Sequence, residues 1–543
     1  MTEVAKKLSE PSASKTDASG IRIRGLNVGV AGRSLLEGAE AEFPGGDVTL
    51  VVGASGSGKT VLMKILAGLI RPNRDGFSIS GSIEIDGRDA LQSPGKDADV
   101  GIVFQNFALF DELTAEENIR FAIDHRRHEV ADDAGLDPKS LLEEFRIPAR
   151  TPVRSLSGGQ QQRLAVARTI AYDPPVVVYD EPTSGLDPVN AKRIASRIQD
   201  TCRRHGKTTI VVTHDYHHLR SIADRVYVLD PEGKRLTRVE VDALDELAVD
   251  LPGSQVFEDG VEADPPSLGR RMIAGALSFL ETSGAALDRT AATAFALVPR
   301  WRSLRWGLKY FVHYLGLVAS LSSWVYFGAA GIIAGFVATY FSYEFLPHRN
   351  FSEPLIGDDL LHAVGFALYR IVVPVLVSVL IAARCGAAIA SDVGNRAYGH
   401  QLDAMRSLGA PPERYLLTNV LFAFLIGTPI VTAIGFLCAR LTSLVVFIYH
   451  HGGHQTTVFW ERHFDRDLVQ PGEILLVGTG WLLAKTLLCG LGVGSIAYFK
   501  AVRPKSSGVE VSRSITSTVI WATLFVLVVH FAFAFIEFGG RSS

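Results

Sequence analysis

Beyond about residue 310 the chain contains five apolar runs, near 314–341, 363–383, 420–448, 474–498 and 515–537, with almost no charge inside them. Runs of about 20 apolar residues satisfy their backbone polar groups in a bilayer only as helices, so this half is expected to be an all-α polytopic membrane domain. The first run is long enough to be tilted or to begin in the interface. Before residue 300 no comparable run exists, and the sequence reads as a soluble α/β protein. A chain of 543 residues exceeds one core. The expected division is a polar, disordered tail over 1–20, an α/β domain over 21–250, a linker over 251–267 and the membrane domain over 268–543. The tail lacks the apolar centre of a signal peptide, which leaves the N-terminus in the cytosol. A net charge of −3 argues against nucleic acid as the main partner. Cys202, Cys385, Cys438 and Cys489 are scattered without metal-like spacing and read as small buried hydrophobes.

In the soluble half, Val48-Thr-Leu-Val-Val52 leads into Gly53-Ala-Ser55-Gly56-Ser-Gly58-Lys59-Thr60 and then the helix-like VLMKILAGL. A glycine-rich turn between strand and helix directs backbone N–H groups at a phosphate, and the helix dipole adds to them. Lys59 is placed for the β/γ-phosphates and Thr60 for Mg²⁺. A second apolar strand, Val176-Val-Val-Tyr-Asp180-Glu181, delivers Asp180 to the metal and Glu181 to the attacking water. Just upstream, Leu156-Ser157-Gly158-Gly159-Gln160 heads the helix-like QQQRLAVARTIA, a second phosphate-binding helix terminus with serine as N-cap.

These motifs, with Gln105 after Gly101-Ile-Val-Phe, Ser184-Gly-Leu-Asp187 and Val211-Val-Thr-His214, stand in the order of ABC-transporter ATPases, which residues 21–245 resemble. The resemblance implies a P-loop ATPase with a RecA-like core and a helical subdomain, binding ATP and Mg²⁺. Catalytic residues are then Glu181, His214 and Gln105, with Thr60, Gln105 and Asp180 around the metal. Gly53, Ser55, Gly56, Gly58, Lys59 and Thr60 hold the phosphates. Ser157, Gly158, Gly159 and Gln160 meet nucleotide held by another ATPase subunit, with Asp187 at the seam. One set of motifs cannot complete such a site, so a homodimer follows. The family usually stacks adenine on an aromatic near the first strand, whereas Leu26-Asn-Val-Gly-Val30 offers none. ATP over GTP is therefore read from the family alone.

In the membrane half, Arg384-Cys-Gly386, Asp392-Val-Gly394, His400-Gln-Leu-Asp403, Gly409, Pro412-Glu-Arg-Tyr and Gly508-Val-Glu-Val-Ser-Arg513 resemble the MlaE permeases over about 268–540. That family moves phospholipids or related lipids as homodimers with ABC ATPases and works with MCE-domain lipid-binding proteins. The resemblance implies a bacterial inner-membrane location and makes this chain a fusion of ATPase and permease. Residues 268–300 mix apolar faces with charge, as an interfacial helix does. With the ATPase cytosolic, inner loops 384–419 and 499–514 carry Arg384, Arg396, Arg406, Arg414, Lys500, Arg503, Lys505 and Arg513. Outer loops 342–362 and 449–473 carry only Arg349, Arg462 and Arg466, so the C-terminus is expected in the periplasm. The amphipathic loop 395–415 is expected to dock on the ATPase beside Gln105.

Arg370, Arg440 and Lys485 fall inside the spans with few acidic residues at similar depth. Either they line a cavity for an anionic lipid head group, or they snorkel and bond helix carbonyls. Gly331-Ile-Ile-Ala-Gly335 permits close helix packing, within one subunit or in the dimer. A different class, an ATP-driven signalling device acting on an outside partner, needs a larger outer domain than these loops of about 20–25 residues provide.

Overall fold

The computed structural model describes residues 20–30, 33–72, 76–85, 87–91, 100–126, 137–244, 289–345, 349–451, 456–466, 468–470, 472 and 475–539. The expected tail before residue 20 and linker over 251–267 lie outside them. Two compact units are formed, Met1–Pro265 with Gly399–Pro411, and Pro266–Tyr398 with Pro412–Ser543.

In the first unit the strands are β1 (Ile21–Val30), β2 (Arg33–Phe43), β3 (Val48–Val52), β4 (Phe77–Ile85), β5 (Arg88–Asp89), β6 (Val100–Val103), β7 (Val176–Asp180), β8 (Thr208–Thr213), β9 (Arg225–Asp230) and β10 (Arg235–Val239). They form an antiparallel sheet of order β2-β1-β4-β5 and a second sheet of order β10-β9-β3-β8-β7-β6. Strands β3, β7 and β8 are buried at every residue, because both faces of this part of the sheet are covered and no polar side remains, the antiparallel sheet and helix Lys59–Leu66 sharing its apolar core. Helices over Ala115–Asp124, Pro138–Glu144 and Gly158–Tyr172 pack on one another as the helical subdomain. Residues 399–411 lie between membrane helices in the sequence yet belong to this unit. Their helix, Gln401–Ser407, places Ala404 (1 % exposed) in the unit's apolar core.

Among the described residues the second unit holds five helical stretches long and apolar enough to cross a membrane: Leu304–Glu344, Gly357–Tyr398, Glu413–His451, Thr479–Ala501 and Gly508–Gly539. The first departs from the expected span over 314–341. The helix breaks at Ser320, whose extended backbone (ψ 168°) separates Leu304–Ala319 from Leu321–Glu344. The former exposes the apolar Leu304, Leu308 and Val312 and buries Trp306, Tyr310 and Tyr314. Of the interfacial helix expected over 268–300, residues 289–296 are helical and 268–288 lie outside the described residues. The inner loop expected from residue 384 is instead helix as far as Tyr398. Alanines favour it, and Asp392 pairs with Arg396 one turn on at 2.8 Å. The outer loop over 449–473 likewise contains a helix, Thr456–Phe464.

Gly331 and Gly335 serve packing inside the chain. A Cβ at Gly331 would stand 2.0 Å from the Gly435 carbonyl oxygen, and one at Gly335 2.2 Å from that of Ala439. Backbone cannot yield as a flexible side chain does, so Gly331→Ala is expected to lower stability by about 1–3 kcal/mol. Thermal unfolding in detergent measures this, and an unchanged midpoint would refute the tight approach.

Candidate active site

Of the sequence-predicted residues of the first unit, Lys59, Thr60, Gln105, Asp180, Glu181 and His214 gather at the carboxyl ends of parallel strands. Val52 pairs with Thr213 and Asp180 with Val212, so β3, β7 and β8 end level, and β6 beside them leads to Gln105. The turn after β3 depends on glycine for two reasons. Gly56 (φ 83°) and Gly58 (φ 98°) are left-handed, whereas Gly53 has no room, since a Cβ there would lie 2.8 Å from the Leu229 carbonyl oxygen. Lys59 opens the following helix, Lys59–Leu66, and its Nζ donates to the carbonyls of Gly53 (2.8 Å) and Ala54 (2.7 Å). Burial holds its pKa below the usual lysine value, with Glu181 and Asp180 acting against the shift. Ser55 and Thr60 are exposed at the mouth of the turn.

Asp180 is 9 % exposed, and its Oδ1 is buried without a hydrogen-bond partner among the described residues. Burial, and then the neighbouring Glu181, push its pKa from 3.8 up to about 6. An orphaned carboxylate oxygen beside a phosphate-binding turn is a fitting donor for a hard divalent cation. Glu181 sits in left-handed backbone (φ 48°), with its N–H donating to the Val212 carbonyl at 2.8 Å. Such strain in a non-glycine residue concentrates at functional sites. Its Oε2 lies 2.6 Å from Nδ1 of the exposed His214. Gln105 is exposed and donates to Ser184 Oγ at 3.4 Å, joining the end of β6 to the Ser184–Asp187 motif.

Ser157 caps the helix Gly158–Tyr172 in a capping box with Gln160. Ser157, Gly158 and Gly159 are exposed, and among the described residues no hydrogen bond joins them to Gly53–Thr60. Asp187 caps the helix Pro188–His205, accepting from Asn190 N at 3.2 Å, and Leu186 and Val189 stand exposed on either side. Sequence reading missed Arg168. Buried at 1 % exposure, it donates to the carbonyls of Ala108 (2.6 Å) and Phe107 (3.2 Å), both left-handed residues just after Gln105. It thereby ties the Gln105 loop to the helix that Ser157 caps. A lone arginine within the apolar run LAVARTIA was the available signal.

In the second unit, the expectation of few acidic residues at the depth of Arg370, Arg440 and Lys485 is corrected, since each meets a carboxylate. Arg370 Nε donates to Glu537 Oε1 at 2.6 Å, and Nη2 reaches the same oxygen. Lys485 Nζ lies 3.6 Å from Glu537 Oε2 and donates to the Arg370 carbonyl at 2.5 Å. Arg440 pairs with Asp465 at 2.5 Å beside the Trp460 ring. Arg370 and Lys485 thus share one carboxylate, while Arg440 is matched one to one.

The ABC transporter family matches residues 36–184, and the family described as permease MlaE matches residues 316–536. A methionine import ATP-binding protein of Streptococcus pneumoniae is 36% identical over 188 residues, covering 34% of this chain and 53% of its own. A sulfate/thiosulfate import ATP-binding protein of Chromobacterium violaceum is 38% identical over 204 residues, covering 36% and 52%. The chain thus spans about half the length of these two relatives. A probable sulfate/thiosulfate import ATP-binding protein of Chlorella vulgaris is 34% identical, covering 36% of this chain and 80% of its own. Among solved structures, cbiO1 of Clostridium perfringens, part of the ABC transporter complex cbiONQ, is 25% identical with a TM-score of 0.35, covering 42% of this chain and 92% of its own. With a nucleotide-binding ATPase domain followed by a multi-pass membrane domain, the chain belongs to the ABC transporter family, its ATPase joined to an MlaE-type permease on one polypeptide.

Proposed function

We propose that the chain is an ATP hydrolase coupled to transmembrane transport, acting as a homodimer that moves phospholipids or related lipids. The observation that carries the dimer is the exposure of Ser157, Gly158 and Gly159 on a chain with one set of motifs. The first-turn N–H groups of Gly158 and Gly159 have no backbone acceptor within the helix and suit a γ-phosphate presented by a second copy. The exposed Leu186 and Val189 beside Asp187 supply apolar surface for the seam. Mixing Lys59→Ala protomers with Ser157→Arg protomers tests this. Each variant alone is expected to be inactive, and the mixture to regain hydrolysis at its one intact composite site. A mixture as inactive as its components would favour sites completed within one chain.

Gly53, Ser55, Gly56, Gly58, Lys59 and Thr60 hold the phosphates, with Thr60, Asp180 and Gln105 placed for Mg²⁺. The cation, when bound, neutralises charge on the β- and γ-phosphates. Glu181 takes a proton from the attacking water, His214 holds Glu181 and the γ-phosphate in place, and Gln105 links the site to the Ser184–Asp187 motif. Because the folded pKa of Asp180 (about 6) exceeds 3.8, the apoprotein binds its proton more tightly folded than unfolded. On this account apo stability falls as pH rises from about 4 to 6. At pH 5 a cation must displace that proton, and at pH 7 it need not. Mg²⁺ with nucleotide is therefore expected to raise Tm more at pH 7 than at pH 5, with the difference lost in Asp180→Asn. Equal shifts at both pH values in the wild type would remove Asp180 from the metal site.

The lipid substrate rests on the MlaE match, and so do an MCE-domain periplasmic partner and the bacterial inner membrane, whereas a periplasmic C-terminus rests on the excess of Lys and Arg in the inner loops. Two cations against the one carboxylate of Glu537 leave positive charge near Arg370 and Lys485 that suits an anionic head group. The one-to-one Arg440–Asp465 pair gives Arg440 the weaker claim. Domain boundaries at 21–250 and 268–543 complete the reading.

A further inference from the structure

Helix Lys59–Leu66 begins at the residues assigned to phosphate and metal. Leu62, Met63, Ile65 and Leu66 bury its core face. Lys64, on another face, donates from Nζ to Asp403 Oδ2 at 3.0 Å across 339 residues of sequence. Both side chains are about one-fifth exposed (21 % and 20 %), so solvent and salt screen the pair less than a surface pair. Asp403 is itself held in place. It accepts from His400 Nδ1 at 3.4 Å and from Arg406 Nη1 at 3.3 Å. His400, in left-handed backbone (φ 56°), lies parallel to the ring of Phe104 at 5.7 Å and 4°. Phe104 immediately precedes Gln105. Gln401 Nε2 adds a bond to Asp111 Oδ2 at 3.1 Å.

We propose that Lys64 and Asp403 are positioning residues that tie the phosphate-loop helix directly to segment 399–411, giving the nucleotide a second line to that segment besides the one through Phe104 and Gln105. The proposal rests on the nucleotide-binding part of the reading above and is independent of what is transported. A short helix whose other faces are packed moves as one body, so displacement of Lys59 and Thr60 on nucleotide binding reaches Lys64. The ion pair then passes the displacement to a segment whose two ends continue into membrane-spanning helices.

The test is hydrogen exchange of the 399–411 peptide in the full-length Glu181→Gln protein in nanodiscs, with and without MgATP. Nucleotide affinity is measured separately on the same samples. ATP is expected to slow exchange in this parent. Adding Lys64→Met or Asp403→Asn should cut that slowing by about five-fold with ATP affinity unchanged, and the double variant should do no worse than either single. Asp403→Glu, which keeps the charge, should restore most of the response. A merely structural pair would lower thermal stability without touching the ATP-dependent difference. The proposal is overturned if the parent shows no ATP-dependent change at 399–411, or if both single variants keep it in full. Failure of the parent to bind ATP would overturn the nucleotide reading and this proposal together. A negative result for lipid carriage would leave this one standing.

Discussion

Glu181→Gln is expected to bind ATP as the wild type does and to turn it over about 10²–10⁴-fold more slowly, the usual contribution of a positioned general base. Three observations place the effect at this residue. Its carboxylate follows the buried Asp180 at the end of β7, it lies 2.6 Å from His214 Nδ1, and its backbone is held left-handed by the bond to Val212. Glutamine keeps the size and the hydrogen-bonding reach, so the turn and the phosphate contacts survive while the proton acceptor is lost. The loss should therefore fall on kcat, with the ATP dissociation constant little changed. Steady-state hydrolysis beside equilibrium nucleotide binding measures it. A variant hydrolysing within a few-fold of wild type would pass the base's role to another group.

The second large effect is on stability. Glu537→Ala is expected to destabilise the membrane unit by about 3–5 kcal/mol, because it strands two buried cations at once. Arg370, Lys485 and Glu537 are exposed at only 7 %, 4 % and 2 % of their side chains. Removing the carboxylate leaves both charges without a counter-ion in an apolar region. Replacing all three by apolar residues of similar volume should cost far less than the single change, since no unpaired charge then remains. Thermal unfolding of the detergent-purified variants compares the two. A single variant as stable as wild type would mean that Arg370 and Lys485 reach water or lipid phosphate without Glu537.

How much of this was legible in the sequence differs between the two units. The nucleotide motifs stand on short, strongly patterned strand–turn–helix units, so local sequence alone brings Lys59 after β3, Asp180 and Glu181 after β7, and His214 after β8. The apolar spans were legible because length and hydropathy are local too. What escaped depends on contacts far apart in the chain. The carboxylate that meets Arg370 lies 167 residues away, at the far end of the last apolar run. The break falls in Ser320-Leu-Ser-Ser323 between two apolar stretches, and hydropathy averaged over a span does not register a single extended residue. Arg168 is a lone charge in an apolar run, and its value comes from two carbonyls about 60 positions earlier. The loop 395–415 reads as amphipathic, but burial of Ala404 in the ATPase core follows only from the three-dimensional packing.

The central claim, that ATP drives lipid through this chain, is tested most directly by mass spectrometry of lipids bound to the purified full-length protein, wild type against Glu181→Gln with MgATP. The account predicts phospholipid above the detergent-annulus background, with an occupancy that differs between the resting and the ATP-trapped forms. Background lipid alone in both forms would contradict lipid carriage, and would leave an ATPase whose cycle acts across the membrane on something other than lipid.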